Sequence, residues 1–384
     1  MHASGANLLV LLVLLVGTVI APLLAGRIRV PAAVLLIAYG LAVGPHGLDW
    51  VGDSPVESFL SELGFVLLMF LAGLEIDVNA LGHRGSKSLA VMGAVALLVP
   101  ALSVGAAFLL DLPVLYGLAL GAVSVGMPLA LLKESGRIRT RLGQDVLILG
   151  SIGEFFTVVA MTLLDLGLRH GATLALLGGL LRLVGFLVIS GLILKVFTAW
   201  AWWHPERVSG LVTEPASEFG VRASLLAMAT FSVIAFLAGV EPIVGAFLAG
   251  ALIAFVLRGK GILEEKLSVV GHGFLVPIFF VGVGLRFDPS VVTTSSLSTA
   301  GGLVVLAFLA RALPALLLLA LRMRLRHVLA TAALLSCPLT LTVAIATLGA
   351  HLGAITEEAE GTLVLLAVGS GLVFPMAFRR LARQ

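Results

Sequence analysis

The sequence predicts an all-α membrane protein of about thirteen transmembrane helices, arranged as two inverted six-helix repeats joined by a linker helix. Three observations carry that expectation: apolar stretches of spanning length, loops that alternate in charge, and a self-similarity at a fixed offset. Of the 384 residues, 60% are hydrophobic and 12% are Asp, Glu, Lys or Arg, against roughly 25% charged in an ordinary soluble domain. Too little charge remains to cover a water-facing surface. The composition excludes a cytosolic enzyme, a disordered chain and a disulfide-stapled secreted domain, since Cys337 is the only cysteine. A net charge of +3 with no soluble domain to cluster it gives no face for nucleic acid.

The thirteen apolar segments run over 7–25, 30–48, 58–78, 89–110, 113–132, 142–164, 173–199, 219–239, 242–257, 268–286, 297–321, 327–350 and 359–378. Most approach the roughly 20 residues that a spanning helix needs. None alternates as a barrel strand does. The first lacks a basic leader region and is too long for a signal-peptide core, so it is expected to be retained. The seventh contains Arg182, and its outer half is expected to be irregular or tilted, with Arg182 snorkelling to the surface. Basic residues fill every second loop, from Arg27 and Arg29 through Arg137, Arg139 and Arg141 to Arg322, Arg324 and Arg326. Acidic residues such as Asp49, Glu57, Asp111 and Glu357 fill the others. The positive-inside rule then puts the N-terminus outside and the C-terminus in the cytoplasm.

The chain resembles itself. Pro31 has its counterpart at Pro242, Gly73 at Gly284 and Asp77 at Asp288, each 211 positions on. That offset covers seven segments, an odd number, so the second copy lies upside down in the bilayer. Inverted repeats mark secondary transporters, whose sites sit at the midplane between interrupted helices. Two interruptions stand at equivalent places: Ser124-Val-Gly126-Met-Pro128 in the fifth segment and Ser336-Cys337-Pro338-Leu-Thr340 in the twelfth. Each proline removes a backbone donor and clashes with the turn before it, so carbonyls freed there can coordinate a cation.

Charges deep in apolar sequence are costly, roughly 2.5–3.5 kcal/mol each on insertion scales. Glu154 lies halfway through the sixth segment, with Ser151 and Thr157 on the same helix face and Gly150 and Gly153 beside it. A carboxylate there can exchange a proton for a cation. Arg311, in the middle of the eleventh segment, keeps its proton. A direct or water-mediated pair with Glu154, the only other charge at that depth, is the expectation. Glu75 and Asp77 end the third segment and are candidates for an inner entrance. His46, His83, His272 and His351 show no metal-ligand spacing. No Ser/His or His/Asp constellation lies at one depth, so an enzyme is not expected, and no cofactor is implied.

Three strings then point to a family. Glu62-Leu-Gly-Phe-Val-Leu-Leu-Met-Phe-Leu-Ala-Gly-Leu-Glu75, Glu241-Pro-Ile-Val-Gly-Ala-Phe-Leu-Ala-Gly250 and Pro277-Ile-Phe-Phe-Val-Gly-Val-Gly-Leu285 resemble bacterial sodium/proton antiporters of the second cation/proton antiporter family. Glutathione-gated potassium efflux proteins belong to it too. The resemblance covers essentially the whole chain. It implies two crossed discontinuous helices and a homodimer in a bacterial inner membrane. It also implies a dimerisation part, 1–87 with 218–290, beside an ion-transporting core, 88–166 with 291–384, joined by a linker at 167–217.

By the resemblance, the family's acidic or amide–acid pair falls on Gly153 and Glu154, and its eleventh-segment lysine on Arg311. A family threonine is replaced by Val123, and a Gly-Glu after the second break by residues near Leu339 and Thr340. The expected site is therefore Glu154 with Ser124, Thr157 and Thr340 for the cation and proton. Arg311 is the supporting charge, and Gly126, Pro128, Ser336 and Pro338 shape the breaks. No metal is expected beyond the transported cation. One titrating carboxylate predicts electroneutral exchange of one monovalent cation, sodium ahead of potassium, for one proton. A potassium-efflux channel and an organic-anion transporter on the same scaffold are the alternatives.

Overall fold

The computed structural model describes residues 2–28, 30–52, 54–75, 85–138, 140–170, 174–203, 217–256 and 261–382. Every regular element among them is helical, as lipid demands of segments that must satisfy their own backbone groups. Among the described residues, nine helical runs are long and apolar enough to cross a membrane, and four shorter apolar helices accompany them. Each of the thirteen apolar segments expected from hydropathy coincides with one of these runs.

In chain order the helices are α1 (His2–Ile28), α2 (Ala32–Val43), α3 (Pro55–Leu74), α4 (Ser86–Leu109), α5 (Val114–Gly121), α6 (Gly126–Glu134), α7 (Arg141–His170) and α8 (Leu174–Trp203). The second half holds α9 (Ser217–Leu237), α10 (Pro242–Val256), α11 (Gly261–Val270), α12 (Val276–Arg286), α13 (Thr294–Ala315), α14 (Leu325–Leu335), α15 (Leu339–His351) and α16 (Glu357–Ala382). A π-turn, Gly271–Leu275, joins α11 to α12 without interrupting the span. The second segment is shorter than hydropathy suggested, because Pro31 sits just ahead of α2 and Gly44-Pro45 just after it. The seventh is one continuous helix of 30 residues, α8, rather than irregular. Arg182 is exposed on it and donates Nε–H to Gly178 O at 3.3 Å, one turn back.

The chain forms two compact units. Unit 1 comprises Met1–Ile28, Leu35–Val78 and Thr162–Arg286; unit 2 comprises Arg29–Val34, Asn79–Met161 and Phe287–Gln384.

Unit 1 carries the internal repeat as a packing pattern. Gly40 of α2 rests on the Val281 carbonyl of α12, and Gly284 of α12 rests on the Ile37 carbonyl of α2. The same reciprocal contact recurs between Gly250 of α10 and the Phe70 carbonyl of α3, and between Gly73 of α3 and the Phe247 carbonyl of α10. Gly73 and Gly284 are the repeat partners identified in the sequence. At all four positions a Cβ would run into a backbone oxygen. Along its length α3 also lies antiparallel to the α11–α12 span, with Phe65 and Phe279 stacked at 5.1 Å between ring centres.

Unit 2 is built around the buried cluster of Val95, Val99, Val123, Val125, Val146, Leu149 and Leu334. α16 packs on α13, α14 and α15, while α4 packs on α5 and α13. Two spans are interrupted here. Residues 122–125 separate α5 from α6, and residues 336–338 separate α14 from α15.

Candidate ion site

The prolines do not break these spans in the way the sequence suggested. Pro128 is the third residue of α6 and Pro338 is the N-cap of α15. The first turn of a helix makes no use of its own N–H groups, so a proline costs nothing there. Both prolines therefore start the second half-helix; neither disrupts the first. The chain turns extended before Gly126, with Ala122 at φ −60°, ψ 133°. Ser336 closes α14, its N–H still bonded to Ala332 O at 3.0 Å.

An extended segment buried in a membrane must place its backbone groups somewhere. Here α7 receives them. Val123 N–H donates to Thr157 Oγ1 at 3.1 Å, and Val125 N–H donates to Glu154 Oε2 at 3.3 Å. Between them the Ser124 hydroxyl donates to Glu154 Oε1 at 3.1 Å. Ser124 Oγ also stands 3.3 Å from Thr340 Oγ1, in the first turn of α15. The two breaks thus meet at Ser124 and Thr340, beside a carboxylate that is 1% exposed. Thr157 donates its own proton to Gly153 O at 2.8 Å, so its hydroxyl holds the break against α7. Ser151, one turn before Glu154, is buried with a hydroxyl that bonds no described residue.

Arg311 differs from expectation. It is fully buried, yet it forms no ion pair with Glu154. Its guanidinium donates to Ala307 O at 2.7 Å in its own helix and to Ala122 O at the end of α5, and it faces Cys337 in the second break. Helix dipoles account for this division. Four half-helices converge at the breaks: α5 and α14 end there, offering carbonyls and partial negative charge, while α6 and α15 begin there, offering N–H groups and partial positive charge. Arg311 meets the first pole and Glu154 the second.

Two further buried acids escaped the sequence reading. Asp145, on the first part of α7, is 1% exposed although it lies one turn from Arg141. It is nine residues from Glu154, about 13 Å along a helix, too far to share one ion. Glu57, read as a loop acid, is 5% exposed in unit 1 and lies 3.7 Å from the Arg286 guanidinium. Each was visible only as a charge next to an apolar run. Glu75 is half-buried at the end of α3 in unit 1, and Asp77 lies outside the described residues. Among the described residues no three His, Cys, Asp or Glu side chains converge as metal ligands.

Residues 11–384 match the model of the sodium/hydrogen exchanger transmembrane family. The chain belongs to that family. Its relatives within the sodium/hydrogen exchangers include a putative Na+/H+ antiporter, YjbQ, of Bacillus subtilis, 29% identical over the whole chain. The chain spans 64% of the length of that relative. A probable Na+/H+ antiporter of Methanocaldococcus jannaschii is 27% identical over 94% of this chain and 93% of its own. The solved sodium proton antiporter MjNhaP1 of the same archaeon shares the exchanger fold, with a TM-score of 0.66 and 18% identity over 99% of this chain and 97% of that one.

Proposed function

We propose that this exchanger carries sodium against protons, one for one, with Glu154 as the carboxylate that both occupy in turn. The observation that carries the reading is the placement of Glu154 at the junction of the two breaks, within reach of the Ser124 hydroxyl and next to Thr340. The names of the curated relatives support sodium and proton as the pair.

A hard monovalent cation takes oxygen ligands, and the junction supplies a carboxylate and two hydroxyls. When sodium leaves, the carboxylate is left at the positive ends of α6 and α15, where it accepts a proton before the site turns to the other side. Arg311 stays charged throughout and compensates the opposite pole. Glu154 bearing sodium and Glu154 bearing a proton have the same net charge, so a complete cycle moves none across the membrane. Asp145 lies too far along α7 to enter that balance.

On this reading the protein is a multi-pass component of the plasma membrane, with a cytoplasmic C-terminus set by the basic inner loops, and unit 1 supplies the surface for a homodimer. Proteoliposomes containing a pH-sensitive dye test the exchange: an inward sodium gradient drives protons out with the wild type. A voltage dye in the same vesicles reads no sodium-dependent potential if the exchange is electroneutral.

A further inference from the structure

The extended segment is fitted to α7 by more than its hydrogen bonds. Successive side chains of an extended backbone alternate in direction. Ser124 reaches Glu154, while Val123 and Val125 on either side of it lie over glycines of α7. A Cβ on Gly153 would stand 2.8 Å from both Cβ and Cγ1 of Val123, and a Cβ on Gly150 would stand 2.7 Å from Cγ2 of Val125. Both valines are fully buried.

We propose that Gly150 and Gly153 are positioning residues, a seat on α7 into which Val125 and Val123 lodge. The seat sets how closely Ser124 and the Val125 N–H approach Glu154, and through that the affinity for the cation. The inference rests on the exchange proposed above. The two halves of the seat differ in strictness. At Gly153 the obstacle is the β-branched Cβ of Val123, fixed to its own backbone, so any side chain at 153 moves the break bodily. At Gly150 the obstacle is a terminal methyl, which a rotamer change can withdraw. An outward shift of about 0.5 Å would take the 3.1 Å bond from Ser124 to Glu154 beyond useful hydrogen-bond length.

Sodium half-saturation and maximal rate, measured separately in proteoliposomes, read this directly. G153A is expected to raise the sodium half-saturation tenfold or more, with a smaller change in maximal rate. V123G removes the Cβ that the new methyl would meet, so G153A/V123G is expected to return within threefold of V123G alone. G150A is expected to shift half-saturation less than threefold. Should G153A fail to fold, the comparison of G153A/V123G with V123G carries the same information. A working wild type whose G153A variant keeps its sodium half-saturation overturns the seat alone, as does a G153A defect that V123G leaves in place. A wild type that moves no cation overturns the functional reading, and the seat's role with it.

Discussion

Ser124 and Glu154, thirty positions apart in sequence, are joined by a 3.1 Å hydrogen bond from the hydroxyl to the carboxylate. The bond ties the first interruption to the helix that bears the acid. Because Ser124 Oγ also stands 3.3 Å from Thr340, the same hydroxyl reaches the second interruption. On the proposed exchange, an ion held by Glu154 meets oxygens from both broken spans, the condition for a site that senses movement of either.

Glu154→Asp keeps the charge and shortens the side chain by one methylene. It withdraws the carboxylate from Ser124 and the Val125 N–H. A loss of about 1–1.5 kcal/mol of hydrogen bonding corresponds to roughly a tenfold higher sodium half-saturation, with exchange retained. Sodium titration of proton flux in proteoliposomes measures it.

On the proposed exchange, sodium and protons compete for one carboxylate. Lowering the pH fills Glu154 with protons, so the sodium concentration needed for half-maximal flux rises as pH falls, while saturating sodium restores the rate. Titrations at several pH values, with the same pH on both sides, check this. A maximal rate that falls with no change in half-saturation would mean separate sites.

Arg311 bonds backbone carbonyls rather than Glu154, and a double-mutant cycle distinguishes the two arrangements. Arg311→Gln and Glu154→Gln should show a coupling below about 1.5 kcal/mol in thermal stability, whereas breaking a buried ion pair by removing one partner costs about 3–5 kcal/mol. Arg311→Ala alone should destabilise by about 1–3 kcal/mol, because the Ala122 carbonyl loses its donor away from water. Thermal unfolding in detergent reads both.

Thr157 serves the break through its hydroxyl, accepting from Val123 N–H and donating to Gly153 O. Thr157→Val keeps the shape and removes both bonds, at a cost of about 1–3 kcal/mol. Thr157→Ser should recover most of that stability in the same unfolding assay.

In unit 1 the repeat predicts matched behaviour. Gly40→Ala and Gly250→Ala each drive a methyl into a carbonyl, of Val281 and Phe70 respectively. Overpacking costs about 1–3 kcal/mol, and the two substitutions should destabilise the protein to a similar degree. Gly26→Ala, with no atom within 4 Å of the new methyl, is the control and should leave unfolding unchanged.

Much of the architecture was legible in the sequence because lipid imposes one-dimensional rules: a span must be apolar for its whole length, and basic loops stay on one side. The repeat was legible through Gly73 and Gly284, since close helix crossing tolerates no side chain at either. Glu154 and Arg311 stood out by their cost in apolar surroundings. Their separation did not, because pairing opposite charges is the cheaper guess until half-helix ends appear as competing partners. The prolines marked the breaks but misplaced them, since a proline suits the start of a helix as well as it disrupts the middle. Asp145 and Glu57 sit within a turn of a span end, where hydropathy cannot tell a solvated acid from one covered by neighbouring helices. The fit of Val123 over Gly153 joins residues thirty positions apart and leaves no trace in any local pattern.

The most direct measurement is sodium-driven proton flux in proteoliposomes of wild type and Glu154→Gln, made at equal protein content and with unfolding curves to verify that both are intact. The amide keeps the size of the side chain and cannot take up a proton or neutralise a cation at this site. Loss of flux in an intact Glu154→Gln protein is the predicted result. Undiminished flux would place the exchanged ion elsewhere and contradict the account.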